Sequence, residues 1–579
     1  MLPVVERDLV DGVPVLRSTG MAGRHAAALV FRVGQFDEAL PNRGITHMVE
    51  HLTFGGHHEA RYQFNASVDG WYTRYLVESA DPADIAAYLR AVCEGLAADH
   101  GQVLDRERRI LRTEAASRGG AGMLGSCLAE RYGARGPGVL NYPELGLERL
   151  GWADVAAWRA RWFTAGNAVL WVAGDLPDGL RLSLPGGPAR SAPVAVPLPA
   201  TWPAYVTGAK GGLAAGLVAD RSFAPHATLD ILQRRLTQAL RHDHGLTYDV
   251  GIGAQEVDPD HVHTWLTADV LPEQVPMAAH VLLSTFETLA TTGAQESELA
   301  AYRRRIEDGY QSPAGPIGLL DRQTRAILNG RPTRSAADSI RLAAEVIPVD
   351  IAKAAQSLWD SMLVAAPYDV PAIQGRMGRA PSFSATTVTG GKVHKPIAGD
   401  SPTLTVSDEG VMFTRAPGEH VTVRYADAAA LLRWNDGKRS LIGGDGFTIV
   451  LDPAQWKDGA TVVSAVTARV PDDLVLPLDR PGPATPRPQA ASQPGSAGQP
   501  SGGGRSSGAG RPSGAGRRDR LVRFVTGQRF LFACLLVLLL GGLVWSASSG
   551  SRNSAPLGLV TAAVVGRLVA QGLRRRRRR

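Results

Sequence analysis

Residues 44 to 54 read GITHMVEHLTF, and three side chains in this run carry the chemistry of a metal site. His47 and His51 stand four apart, with Glu50 directly before the second. On a helix, steps of about 100° per residue leave His51 roughly 40° from His47 and Glu50 roughly 60° to the other side, so all three share one face. Two imidazoles so placed can hold a single ion. Zinc suits neutral imidazole nitrogen and carboxylate oxygen, and a catalytic zinc site needs three protein ligands with a position left open for water. Glu50 is then placed to take a proton from that water as it attacks a carbonyl, and to return it to the leaving amine. The plainer alternative is a core helix whose histidines are satisfied by local hydrogen bonds.

A helix of either kind needs a body to pack against. The chain has 579 residues, 44% hydrophobic and 20% charged, enough for about three or four domains with substantial cores. Its first 375 residues alternate strand-like runs, such as AALVFRVGQF and AVLWVAGDL, with Ala- and Leu-rich helical stretches such as DPADIAAYLRAVCEGLAA. That alternation predicts an α+β layer arrangement. The order then repeats, with strand-like LVADRSF, helical HATLDILQRRLTQALRHD, strand-like TYDVGIGAQ and a helix near PEQVPMAAHVLLSTFETLA. Two related halves, 1–190 and 191–375, are the economical division. Residues 376–480 hold short β-branched runs such as HVTVRYAD and FTIVLD between Gly, Asp and Asn turns, the mark of a small β-rich, barrel-like domain.

The remainder is of a different kind. Residues 481–528 are dominated by Pro, Gly, Ser and Arg without apolar periodicity, which predicts a flexible, disordered linker. FLFACLLVLLLGGLVWSA, 530–547, is eighteen residues without a charge, long enough for a transmembrane helix. Residues 555–573 are a second candidate span, interrupted by Arg567. The region 529–579 ends in six arginines, and with basic flanks on both sides a two-span hairpin places the tail and the N-terminal body in the cytoplasm. This predicts a cell-membrane protein anchored at its C-terminus, in contact with membrane lipid. The net charge of +7 belongs to this tail, since residues 501–579 alone carry fifteen Arg against one Asp. The rest is acidic, so no nucleic-acid partner is expected. The N-terminus has no secretory signal pattern. Three cysteines, Cys93, Cys127 and Cys534, supply neither a disulfide framework nor a Cys-based zinc ribbon.

The order His-x-x-Glu-His is the inverted zinc-protease motif, and GITHMVEHLTFGG resembles the pitrilysin and insulinase family, which includes the mitochondrial processing peptidases. FNASVDGWYTRY resembles the strand that follows the family's motif helix, with Asn65 and Ala66 and, beyond them, Thr73 and Tyr75. ERRILRTEA matches the segment bearing the third ligand, which the resemblance assigns to Glu114, with Glu107 as the acidic residue that supports the site. ALRHDHGLTYDVG looks like the family's segment in which an Arg and a Tyr, here Arg241 and Tyr248, close over the substrate and stabilise the oxyanion. His242 and His244 have no counterpart role and read as surface residues, and His57 and His58 as loop residues.

The resemblance spans roughly residues 1–375. It implies a clamshell of two α/β-sandwich halves, a Zn2+ cofactor, and endopeptidase action on an extended peptide that adds as a strand beside Asn65 and Ala66. It also implies pairing with a second copy or a related chain, in which Arg241 and Tyr248 serve either chain's zinc. One departure stands out: GGHHEARYQF crosses directly from motif to strand, about a dozen residues shorter than in the family. Two rivals remain, a catalytically inactive membrane-anchored chamber subunit and a binding or scaffold protein that works through its β-rich domain.

Overall fold

The computed structural model of the chain describes residues 2–18, 23–54, 62–118, 122–209 and 212–479. The predicted linker, both candidate spans, the arginine tail, Cys534, His57, His58 and most of the shortened connection after Phe54 lie outside the described residues. Among the described residues, no helix is long and apolar enough to cross a membrane.

The first sheet is built from β1 (Glu6–Val10), β2 (Val13–Ser18), β3 (His25–Phe31), β4 (Gln63–Val68), β5 (Thr73–Ser79) and β6 (Ala168–Ala173), in the order β1-β2-β6-β3-β5-β4. Between β3 and β4 runs α1 (Ile45–Thr53), and between β5 and β6 run α2 (Pro82–Ala97), α3 (Leu104–Arg118), α4 (Gly122–Tyr132) and α5 (Trp152–Trp162). β3 shows why the sheet is buried on both sides. Alternate side chains of a strand face opposite ways. Ala27, Leu29 and Phe31 enter the core shared with Met48, Val49 and Leu52 of α1, while Ala26, Ala28 and Val30 enter a second core on the other face.

The second sheet repeats the plan with β7 (Ala204–Thr207), β8 (Leu213–Asp220), β9 (Val250–Glu256), β10 (His261–Ala268), β11 (Leu363–Ala366) and β12 (Gly378–Arg379), ordered β12-β7-β11-β8-β10-β9. Its helices are α6 (Phe223–Leu236), α7 (Val275–Thr292), α8 (Glu296–Gln311), α9 (Gly315–Leu328), α10 (Ala336–Ala344), α11 (Pro348–Asp360) and α12 (Pro371–Gln374). Position by position, β2, β6, β3, β5 and β4 correspond to β7, β11, β8, β10 and β9, and the β2–β6 and β7–β11 pairings are both parallel. The halves also exchange a helix. Leu320 and Leu328 of α9 pack on the outer face of the first sheet, and Cys127 of α4 packs against Ala214, Leu363 and Ala365 of the second. Cys93 and Cys127 are free, and burial pushes their thiols up to about 11 and about 12 respectively, which keeps them unreactive.

Residues 392–478 form two four-stranded sheets. One holds β13 (Lys392–His394), β14 (Thr403–Val406), β15 (Gly410–Ala416) and β16 (Glu419–Arg424) in sequence order. The other, ordered β19-β18-β17-β20, is made of β17 (Ala428–Trp434), β18 (Arg439–Gly443), β19 (Thr448–Leu451) and β20 (Val475–Leu478), with α13 (Gly459–Thr467) packed beside it. β17 is apolar in both directions. Leu431 faces the core between these two sheets, whereas Ala430, Leu432 and Trp434 join Leu476 and Leu478 in the core that covers the first sheet's outer face.

Candidate metal centre

α1 begins at a buried cap. Glu38, fully enclosed, accepts from the Gly44 and Thr46 amides at 3.0 Å each and from the Arg43 guanidinium at 2.6 Å. A carboxylate on the first free amides of a helix satisfies them and favours the positive end of its dipole. Gly44 takes φ of +98° at this point, a conformation open to glycine at little cost. Met48, Val49 and Leu52 then anchor the helix, each at most 2% exposed, and burying each such side chain contributes about 1.5–3 kcal/mol.

The face left over is the polar one. His47, Glu50 and His51 each offer a ligand atom within 4.8 Å of the others. Glu114, from α3, brings its Oε2 to 3.4 Å from His51 Nε2 and 3.7 Å from His47 Nε2. Glu50 Oε2 stands at 3.7 Å from His47 Nε2 and 3.9 Å from His51 Nε2. Both Nε2 atoms therefore face the same two carboxylates. Ligands bound tetrahedrally to zinc at 2.0–2.1 Å are about 3.3 Å from one another, so the Glu114–imidazole spacing fits an ion held between them. Glu107, also on α3, lies behind His51, with Oε2 3.4 Å from Nδ1. Its other oxygen accepts from Arg106 at 2.8 Å. Burial alone lowers the His51 pKa, but hydrogen bonding to Glu114 and the charges of Glu50 and Glu114 outweigh it, and the net shift is upward from 6.5.

A fourth carboxylate, which the sequence pattern does not single out, completes the surroundings. Glu144 places Oε1 2.7 Å from His47 Nδ1. It stands just before a 3-10 turn, Leu145–Glu148, and ninety-seven positions separate it from His47. Each histidine thus has a carboxylate at Nδ1 and the Glu50–Glu114 pair at Nε2.

The remaining predicted residues fall on other elements. Asn65 and Ala66 lie on β4, which among the described residues is the edge of the first sheet and pairs only with β5. The Asn65 carbonyl accepts from Tyr88 at 3.3 Å, and Ala66 is half-buried against the α1 core. Thr73 Oγ1 donates to the Val33 carbonyl at 2.9 Å, and the Tyr75 hydroxyl meets Thr53 Oγ1 at 3.1 Å. Arg241 lies in a π-helical extension of α6, Thr237–Asp243, with its guanidinium 4.8 Å from the centre of the Tyr248 ring. The two are brought together with each other; among the described residues neither makes a hydrogen bond or ion pair with the metal cluster. His242 and His244 are exposed beside them.

Comparison with known proteins separates sequence from fold. No family model matches the sequence, and no curated protein matches it. Solved structures do. A protease from Helicobacter pylori is 16% identical over 63% of this chain and 99% of its own, with a TM-score of 0.52. The peptidase M16 inactive domain from Pseudomonas fluorescens is 17% identical over 63% and 99%, with a TM-score of 0.51. A chain of complex III2 from Candida albicans is 12% identical over 65% and 100%, also with a TM-score of 0.51. The chain has the fold of these structures, and at such identities the likeness is one of fold alone. A protease and an inactive domain share it, so activity has to be argued from the residues on α1 and α3.

Proposed function

We propose that the chain is a zinc-dependent endopeptidase of the pitrilysin and insulinase type, acting on extended peptides or unfolded segments and tethered to a membrane by its C-terminal region. One observation carries the reading: Glu114 Oε2 lies 3.4 Å from His51 Nε2 and 3.7 Å from His47 Nε2, and Glu50 Oε2 lies 3.9 Å and 3.7 Å from the same two nitrogens. His47, His51 and Glu114 are the metal ligands. When bound there, zinc supplies a Lewis acid for the scissile carbonyl and for water. Glu50 takes the proton of the attacking water and delivers it to the departing amine. Glu107 orients His51 from its far nitrogen. The open edge of β4 takes the substrate as an added strand past Asn65 and Ala66. Arg241 and Tyr248 grip the substrate backbone and the developing oxyanion, in this chain's chamber or in that of a paired copy or related chain.

The test uses the full chain, because the outer face of the first sheet is covered by residues 428–478. Bound zinc and cleavage of unstructured peptides are measured for wild type, Glu50→Gln and His51→Ala. The expected result is near-stoichiometric zinc in wild type and Glu50→Gln, loss of zinc in His51→Ala, and cleavage in wild type alone. Glu50→Gln should lower the rate by about 10²–10⁴-fold. A wild-type protein that takes up no zinc would refute the reading and leave the inactive chamber subunit in its place.

A further inference from the structure

We infer that Glu144 is a positioning residue for His47, fixing which imidazole nitrogen is free to bind the ion, and that its loop is braced by the β-rich region. The inference rests on the zinc reading for its consequence but on separate geometry for its substance. A carboxylate only accepts, so at 2.7 Å from Glu144 Oε1 the His47 ring donates from Nδ1. A neutral imidazole with its proton on Nδ1 has its lone pair on Nε2, the atom that faces Glu50 and Glu114. Glu107 stands in the same relation to His51, but at 3.4 Å. The Glu144 contact is the tighter of the two, and both partners are about nine-tenths buried, with side chains 9% and 10% exposed.

The placement of Glu144 depends on close approaches at two glycines. A Cβ on Gly44 would stand 2.8 Å from Glu144 Cβ, and one on Gly146 would stand 2.6–2.8 Å from the backbone of Asn42 and Arg43. The Gly146 amide donates to the Arg43 carbonyl at 3.0 Å. The loop before α1 and the loop carrying Glu144 therefore interlock through glycine. From the other side, Leu145 is buried in one core with Trp434, Ile442, Leu476 and Leu478 of the β-rich region, and Arg149 donates to the Asp473 carbonyl. The turn is held between α1 and β20, which gives the β-rich region a part in the metal centre without contributing a ligand.

Two measurements on the full chain test this. The first is zinc affinity by chelator competition for wild type, Glu144→Gln and Glu144→Ala. Loss of a carboxylate that orients a metal-bound histidine weakens binding by about 10–100-fold. Glu144→Ala should fall in that range and Glu144→Gln, which keeps an acceptor but no charge, should lie between it and wild type. The second is the His47 tautomer in metal-free protein labelled with ¹⁵N-histidine, above neutral pH. Wild type and Glu144→Gln should carry the proton on Nδ1, and Glu144→Ala should shift toward the Nε2 form. A merely structural role would lower the thermal midpoint of the metal-free variant and leave the tautomer alone. Wild-type zinc affinity and an unchanged tautomer in Glu144→Ala would overturn the inference. If wild type binds no zinc, the tautomer still decides: a Glu144-dependent Nδ1 proton upholds the positioning role while the peptidase reading falls, and its absence removes both.

Discussion

The two halves place corresponding helices against corresponding sheets and fill the space between them in different ways. α1 and α6 each follow the third strand from the outer end of the shared order, and α3 and α8 are the second helices after β5 and β10. On α6, His226 and Asp230 repeat the four-residue spacing of His47 and His51, with Leu229 where Glu50 stands. His226 Nδ1 meets the Tyr302 hydroxyl at 2.9 Å, and Asp230 receives the Arg305 guanidinium from α8 and that of Arg234 at 3.3 Å. The second half thus supplies its own cation. The first half gathers two imidazoles and four carboxylates, and Arg106 pairs with one of these, Glu107. One scaffold holds a carboxylate paired with an arginine in the second half and, in the first, a group of imidazoles and carboxylates that could hold a metal ion.

The sharpest way to break that comparison is to remove the internal cation. Arg305 and Asp230 have side chains only 11% exposed. Taking one partner from such a pair leaves a buried charge and costs ~3–5 kcal/mol. Arg305→Met should lower stability by that amount in chemical denaturation and leave zinc stoichiometry untouched. A loss below ~1 kcal/mol would mean that Asp230 is served by Arg234 alone and that the analogy with a metal fails. Removing the external cation is the matching experiment. A ligand present at a hundredfold excess over its dissociation constant stabilises the folded state by about 2.7 kcal/mol, so chelation should cost wild type a comparable amount. The same treatment should cost His51→Ala nothing, while Asp230→Asn should respond like wild type.

What could be read from the sequence follows the range of the interactions. The motif helix is legible because His47, Glu50 and His51 are neighbours along one helix, and helical spacing alone puts them on one face. The repeated half is legible because strand and helix periods recur in the same order. Glu114 enters only through a resemblance, since no local period links it to His51. Glu144 is not legible at all: it meets His47 through a close approach of two loops, and a glycine says that something comes near without saying what. The docking of the β-rich region is hidden for a related reason. β17 is apolar on both faces, a pattern that fits a strand inside a sandwich as well as one pressed on a neighbouring sheet. The exchange of α4 and α9 between the halves leaves no mark in periodicity, because an amphipathic helix does not record which sheet it covers.

The smallest effect is the one that distinguishes the two histidine environments most directly. In metal-free protein the carboxylates around His51 raise its pKa above 6.5, against the effect of burial. His226 moves the other way: desolvation lowers its pKa and the charges of Arg322 and Arg305 add to that, while Asp230 opposes them. A histidine raised in the folded state adds stability that is fully present below its unfolded pKa and lost as pH rises through the folded value. One depressed in the folded state costs stability as pH falls below the unfolded pKa, where the unfolded chain takes up a proton that the folded chain refuses. Acidification from neutral pH should therefore bring a gain through His51 and a loss through His226. In chelator-treated protein, His51→Gln should make the acid side of the stability curve steeper, and His226→Gln should make it shallower. With zinc present the sign at His51 reverses, because protons compete with the ion for Nε2, and zinc affinity should rise with pH through the raised pKa of His51. A zinc affinity flat across that range, with the His226→Gln curve unchanged from wild type, would mean that the two helix pairs do not differ in charge as their side chains imply.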